Sequence, residues 1–166
     1  IINLTLFSCN LIRNDIIQIK RKIFELLNYD FILYRSFDEN DLIKLMDKTY
    51  NPFIEEFKGL FNANLFTVNS FFKFNNVKSI IFKNYLNELT HFRLTVLYKL
   101  SSLTNSVILS YFYINQKINN NSLYKLSNIE YTYQQKRWGV VEEQKMIDRN
   151  YLQTIKKISF FFKNIN

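Results

Sequence analysis

From Phe92 to Leu100 the sequence alternates, with Phe92, Leu94, Val96, Tyr98 and Leu100 in one row and Arg93, Thr95, Leu97 and Lys99 in the other. Successive side chains of a strand point to opposite faces, so this spacing predicts a half-buried strand with one row on a core. A second run, Val107 to Ile114, is β-branched and aromatic, and Leu103 to Ser106 between the two carries Thr-Asn-Ser turn chemistry. The two runs are therefore expected to be antiparallel neighbours. Phe31 to Tyr34 reads as a short buried strand. Leu65 to Val68, Phe71 to Phe74 and Ser79 to Phe82 read as further short strands separated by Asn pairs.

Helical spacing marks the two ends. Ile16, Ile19, Ile23, Leu26 and Leu27 recur on one face between Arg13 and Leu27, with Asn14 or Asp15 placed to cap and Lys20, Arg21 and Lys22 opposite. Asp38 opens a second helix through Leu42, Leu45 and Met46, which is expected to stop before Asn51 and Pro52 because proline disfavours helix at the residue before it. Ser122 caps a short helix bearing Leu123 and Leu126. Tyr131 to Met146 reads as another helix, weakened at Gly139, and Tyr151 to Phe162 as a last one. The expected fold is α+β: a mainly antiparallel sheet with helices on one face and helices at the N- and C-termini, in a single domain 1–166 with a helical tail over 151–166.

Composition narrows the function. The chain has 166 residues and is 48% apolar, too apolar for a disordered basic tail despite a net charge of +8. It contains no apolar run of membrane-spanning length, about 18 residues. One Cys and one His exclude a four-ligand zinc site or a disulfide framework from this chain alone. Ile, Asn, Lys, Phe and Tyr, whose codons are rich in A and T, make up 86 of the 166 residues. That bias indicates an A/T-rich, organellar gene, and it inflates Lys and Asn without any polyanionic partner; Ile1 in place of a Met is expected to reflect either an unusual start codon or a true beginning that lies upstream.

Catalytic chemistry finds no foothold. His91 stands before the expected strand with no nucleophile signature beside it and reads as structural or surface, and Cys9, in an apolar segment, reads as a small core residue. Glu142 and Glu143 are adjacent, so on a helix they diverge by about 100° and form no facing carboxylate pair. They read as a solvated face. Two glycines, Gly59 and Gly139, cannot build a phosphate cradle. No catalytic, cofactor-binding or metal-binding residues are therefore expected, and no cofactor. The basic clusters Lys20 to Lys22, Lys136 with Arg137, and Lys156 with Lys157 read as solvated helix faces, although residues 84–166 carry 11 basic against 5 acidic side chains. An anionic partner would meet that half first.

Arg93 to Leu103 (Arg-Leu-Thr-Val-Leu-Tyr-Lys-Leu-Ser-Ser-Leu) is similar to the Arg-Phe-Glu-Val-Val-Tyr-x-Leu-x-Ser segment of subunit 9 of mitochondrial NADH:ubiquinone oxidoreductase, respiratory complex I, whose bacterial counterpart is the C subunit. The register continues through Asn105-Ser106-Val107-Ile108, Ile114 and Ser122-Leu123 to Thr132 to Gly139, where Tyr133 and Trp138 match the family's Trp-Tyr-Glu-Arg-Glu-Val-Trp-Asp box. Asn84-Tyr85 resembles its Asp-Tyr-Pro, so the family-like part covers about 31–138. The charged box is reduced to Gln134, Gln135 and Lys136, and the family's C-terminal motifs have no match.

The resemblance implies a non-catalytic scaffold subunit in the matrix arm of complex I. Its partners would be the other subunits of a large mitochondrial assembly, and it would meet the inner membrane only through that complex. A mitochondrial ribosomal protein binding rRNA through its basic patches is the alternative, and an accessory subunit of another respiratory complex or ATP synthase a second. The expected partner interface is Tyr131, Tyr133, Gln134, Gln135, Lys136, Arg137 and Trp138, with Trp138 either an interface anchor or a filler of the domain's own core.

Overall fold

The computed structural model describes residues 2–35, 39–69, 73–139 and 142–164. Helix accounts for 77% of the structure, and no strand occurs among the described residues, so the expected antiparallel sheet is replaced by an all-helical architecture. In chain order the elements are α1 (Ile2–Cys9), α2 (Arg13–Asn28), a 3-10 turn (Phe31–Leu33), α3 (Asn40–Phe61), α4 (Ile80–Glu88), α5 (His91–Thr104), α6 (Val107–Ile114), α7 (Asn120–Ser127), α8 (Ile129–Trp138) and α9 (Glu142–Lys163).

The alternating run is the centre of the molecule. It folds as α5, which packs against α1, α2, α6 and α9 and buries Leu94, Thr95, Val96, Leu97, Leu100, Ser101 and Thr104. Leu97, assigned by alternation to the outer row, is fully buried. A helix covered on most sides needs no polar face, so its sequence carries no amphipathic stripe, and a period of two then arises by chance. The supposed hairpin turn is a junction between helices. Asn105 ends α5 in the left-handed region (φ 52°), and Ser106 starts α6 by accepting from the Leu109 N–H at 3.1 Å. Asn and Ser serve helix caps and hairpin turns alike, which is why local chemistry could not choose between them. The apolar run 107–114 is likewise a helix, α6, buried along nearly its whole length.

α3 passes straight through Pro52 rather than stopping before it. Leu42, Met46, Tyr50, Ile54, Phe57 and Phe61 follow one another at three- and four-residue steps and are all buried, so tertiary packing of a continuous stripe outweighs the cost of one proline, about 3 kcal/mol. Its C-terminal half enters an aromatic cluster. Phe57 and Phe61 lie 4.7 Å apart between ring centroids, Phe61 and Phe82 4.9 Å, Phe61 and Tyr111 5.0 Å, and Phe53 and Phe112 5.2 Å, which locks α3, α4 and α6 together.

The other expected strands resolve similarly. Phe31 to Tyr34 is the 3-10 turn followed by a single parallel bridge between Tyr34 and Val68, so the run at Leu65 to Val68 pairs through one residue only. Ser79 to Phe82 is the start of α4, where the Ser79 hydroxyl accepts from Phe82 N–H and donates to the Phe61 carbonyl. Phe71 and Phe72 of the run at Phe71 to Phe74, and the expected cap Asp38, lie outside the described residues, as do the side chains of Glu142 and Glu143. Cys9 is exposed rather than a core residue, and the adjacent Ser8 is buried in its place. The helix expected over Tyr131 to Met146 is broken at Gly139, whose φ of 89° few other residues adopt, and the expected tail is the second half of α9, burying Ile155, Ile158, Phe161 and Phe162.

Candidate functional site

The expected interface residues share α8, a helix in which no residue is fully buried and which leans on α3. Its side chains divide. Tyr131 and Gln134 line a recess of about 180 Å³ with Phe31, Ser127 and Glu130. Tyr133 packs on the core's edge, and Arg137 Nη1 stands 3.2 Å from Glu39 Oε2 at the start of α3. Desolvation pushes the Tyr133 phenol up, and the nearby Glu39 carboxylate adds to the shift. Gln135 is half-buried and its side-chain amide nitrogen has no hydrogen-bond partner, while Lys136 points outward. Trp138, 67% exposed, fills no part of the core; the Arg137 guanidinium lies 5.7 Å from its ring centroid.

The recess adjoins a larger cleft of about 530 Å³, since Phe31 and Glu130 line both. The cleft runs between the segment around the 3-10 turn and the stretch carrying Val68, Lys73 and Asn75. At its rim the exposed Tyr29 ring stacks on the exposed Phe74 ring at 5.3 Å and 28°. Asn75 is buried and fixes the far wall by accepting from Phe66 N–H at 2.8 Å and donating to Phe66 O at 3.0 Å.

Two buried charged residues hold this region to the core. Asp30 accepts from Ile32 N–H at 3.2 Å and, across 78 positions of sequence, from Ile108 N–H at 3.0 Å at the start of α6. Burial pushes its carboxyl up to about 6, opposed by the N–H groups it receives, first among them that of Ile108. Arg35 donates to Asp47 at 2.7 Å, to Asn51 at 2.9 Å, and to the carbonyls of Ile32 and Tyr34 at 2.7 and 2.9 Å, so its buried charge is compensated on every side. Both oxygens of Asp30 are occupied by backbone donors, which makes it an anchor rather than a proton-transfer group.

Sequence reading missed both residues. Nothing near Asp30 signals a partner in α6, but Asp47 and Asn51, four apart on α3, mark a polar spot that Arg35 fills. His91 is exposed at the first position of α5, and among the described residues no group of three His, Cys, Asp or Glu is placed to hold a metal. No described helix is long and apolar enough to cross a membrane. The surface instead offers large apolar side chains in the open: Tyr29, Phe66 and Phe74 about the cleft, Trp138, Met146 and Ile147 about the α8–α9 joint, and Ile80 and Ile81 on α4.

No family model matches the chain, and no curated protein matches it in sequence. Solved structures do match in fold. Atp12 from Paracoccus denitrificans superposes with a TM-score of 0.81 at 20% identity, over 94% of this chain and 68% of that one. The Atu1473 protein of Agrobacterium tumefaciens, a proposed chaperone, superposes with a TM-score of 0.82 at 18% identity, over 96% of this chain and 60% of that one. A point variant of the Paracoccus protein gives the same likeness as its parent.

These likenesses, with helices α5 and α6 where the resemblance needed paired strands, overturn the relation to subunit 9 and the role of a complex I scaffold. The ribosomal, rRNA-binding alternative falls with it. The agreement around Arg93 to Leu103 reflects the apolar and β-branched residues that buried helices and buried strands share. The chain shares its fold with the matched parts of Atp12 and of the proposed chaperone.

Proposed function

We propose that this chain is an assembly chaperone that holds an unassembled subunit of a large respiratory assembly, the ATP synthase, in the mitochondrial matrix. The observation that carries the reading is the fold shared with Atp12, an ATP synthase assembly chaperone, over 94% of this chain. The surface supports it, because exposed aromatic and aliphatic side chains beside the cleft and at the α8–α9 joint suit transient contact with the apolar interface of a partner not yet assembled. The organellar composition supports the matrix as its place of work. The ligands would be protein, held without any bond being made or broken.

Affinity capture of the tagged chain from its native source, combined with its depletion, tests this. An ATP synthase subunit should co-purify at a level unrelated to assembled enzyme, and depletion should lower assembled ATP synthase while that subunit accumulates in insoluble form. Unchanged assembly on depletion, with no ATP synthase subunit captured, would refute the proposal.

A further inference from the structure

Resting on that reading, we infer that the protein segment held is acidic and docks along a groove between α9 and the loop that joins α6 to α7. The groove has a volume of about 760 Å³, and Lys117, Lys156 and Lys163 line it with no acidic side chain among its lining residues. Its floor is apolar: Tyr113, Ile118 and Phe162. The Arg93 guanidinium, 5.6 Å from the Phe162 ring centroid, adds positive charge next to that floor. Lys117 is paired with Glu56, but Lys156 and Lys163 are exposed on the outer side of α9. Arg149, seven residues before Lys156, continues the same positive face of that helix.

Charge of one sign over an apolar floor is complementary to an amphipathic segment carrying carboxylates along one side and aliphatic residues along the other. Nucleic acid fits less well. Sequence-tolerant binding of single strands relies on aromatic faces open to stacking, whereas Tyr113 and Phe162 are buried and the Tyr113 hydroxyl donates to Asn120 at 2.7 Å. The groove is therefore assigned to an acidic protein segment.

The test uses the full chain and three probes: a synthetic 16-residue peptide with Glu and Leu at helical spacing, its Lys and Leu counterpart, and a single-stranded RNA of 16 nucleotides. The acidic peptide should bind, weaken as salt rises, and lose at least about tenfold in affinity in Lys156→Glu/Lys163→Glu. Lys44→Glu/Lys48→Glu changes net charge equally on exposed α3 positions and should leave binding within about twofold. Circular dichroism checks folding, and Lys156→Gln/Lys163→Gln, which removes charge without reversing it, should weaken binding by a smaller factor. Failure of the acidic peptide to bind, preference for RNA, or equal loss in the α3 control overturns the assignment. A groove variant that still captures an ATP synthase subunit at full strength overturns the groove and leaves the proposed function standing. Binding of the acidic peptide at the groove by a protein that captures no such subunit does the reverse.

Discussion

α5 and α8 are both amphipathically ambiguous in sequence, yet one packs against four other helices and the other has no fully buried residue. In α5 the packing of four neighbours determines conformation, and in α8 a few edge contacts and one ion pair with Glu39 do so. The difference separates residues that hold the fold from residues free to meet something else. Truncating a buried apolar side chain of α5 costs stability, whereas the outward side of α8 can vary with little effect on the fold.

Mutation can break or sharpen that contrast, beginning with the largest effect. Leu97→Ala removes a fully buried side chain from α5 and should lower unfolding free energy by about 2–5 kcal/mol, read from urea melts. Loss of less than about 1 kcal/mol would mean that α5 is not enclosed on most sides.

Asp30, which joins the cleft wall to α6, should impose a pH dependence. Its folded carboxyl lies at about 6, above the ordinary 3.8, so the folded state holds the proton more tightly. The resulting stabilisation is complete below about pH 4 and is lost as pH rises through about 6, a total of about 3 kcal/mol at 1.36 kcal/mol per unit. Asp30→Asn cannot titrate there. The stability of the native chain relative to this variant should therefore fall between pH 4 and 7, and a flat difference would contradict the buried setting.

A third substitution raises stability. The Thr95 hydroxyl on α5 is buried and has no hydrogen-bond partner, so Thr95→Val, of nearly equal shape, should stabilise the fold by about 1 kcal/mol in the same melts. The smallest effect belongs to α8. Trp138→Ala should change stability by less than about 0.5 kcal/mol, and under the proposed function it should weaken capture of the ATP synthase subunit.

Legibility in the sequence followed the same divide. α2 and the first half of α3 were readable because each has one wet and one buried face, so Ile19, Ile23 and Leu27, or Leu42 and Met46, recur at helical steps between charges. α5 and α6 were not, since enclosure on most sides erases that contrast and leaves β-branched and aromatic residues that suit strands equally well. Length is the discriminator that remains: 14 residues is long for a strand and ordinary for a helix. The segment expected to form an interface is an aromatic, basic stretch, and its residues share one helix. The cleft beside it was not visible, because its walls come from residues near 30, 70 and 130 that only the fold assembles.

The exposed position of Trp138 decides how this molecule can be watched. It is the sole tryptophan, so indole emission should be red-shifted in the native state and almost indifferent to melting of the interior. Loss of the packed Phe and Tyr cluster would instead register in near-ultraviolet dichroism. One chromophore thus reports on the outer face while a separate set reports on the integrity of the fold, and under the proposed function a single titration would tell release of a guest from collapse of its host.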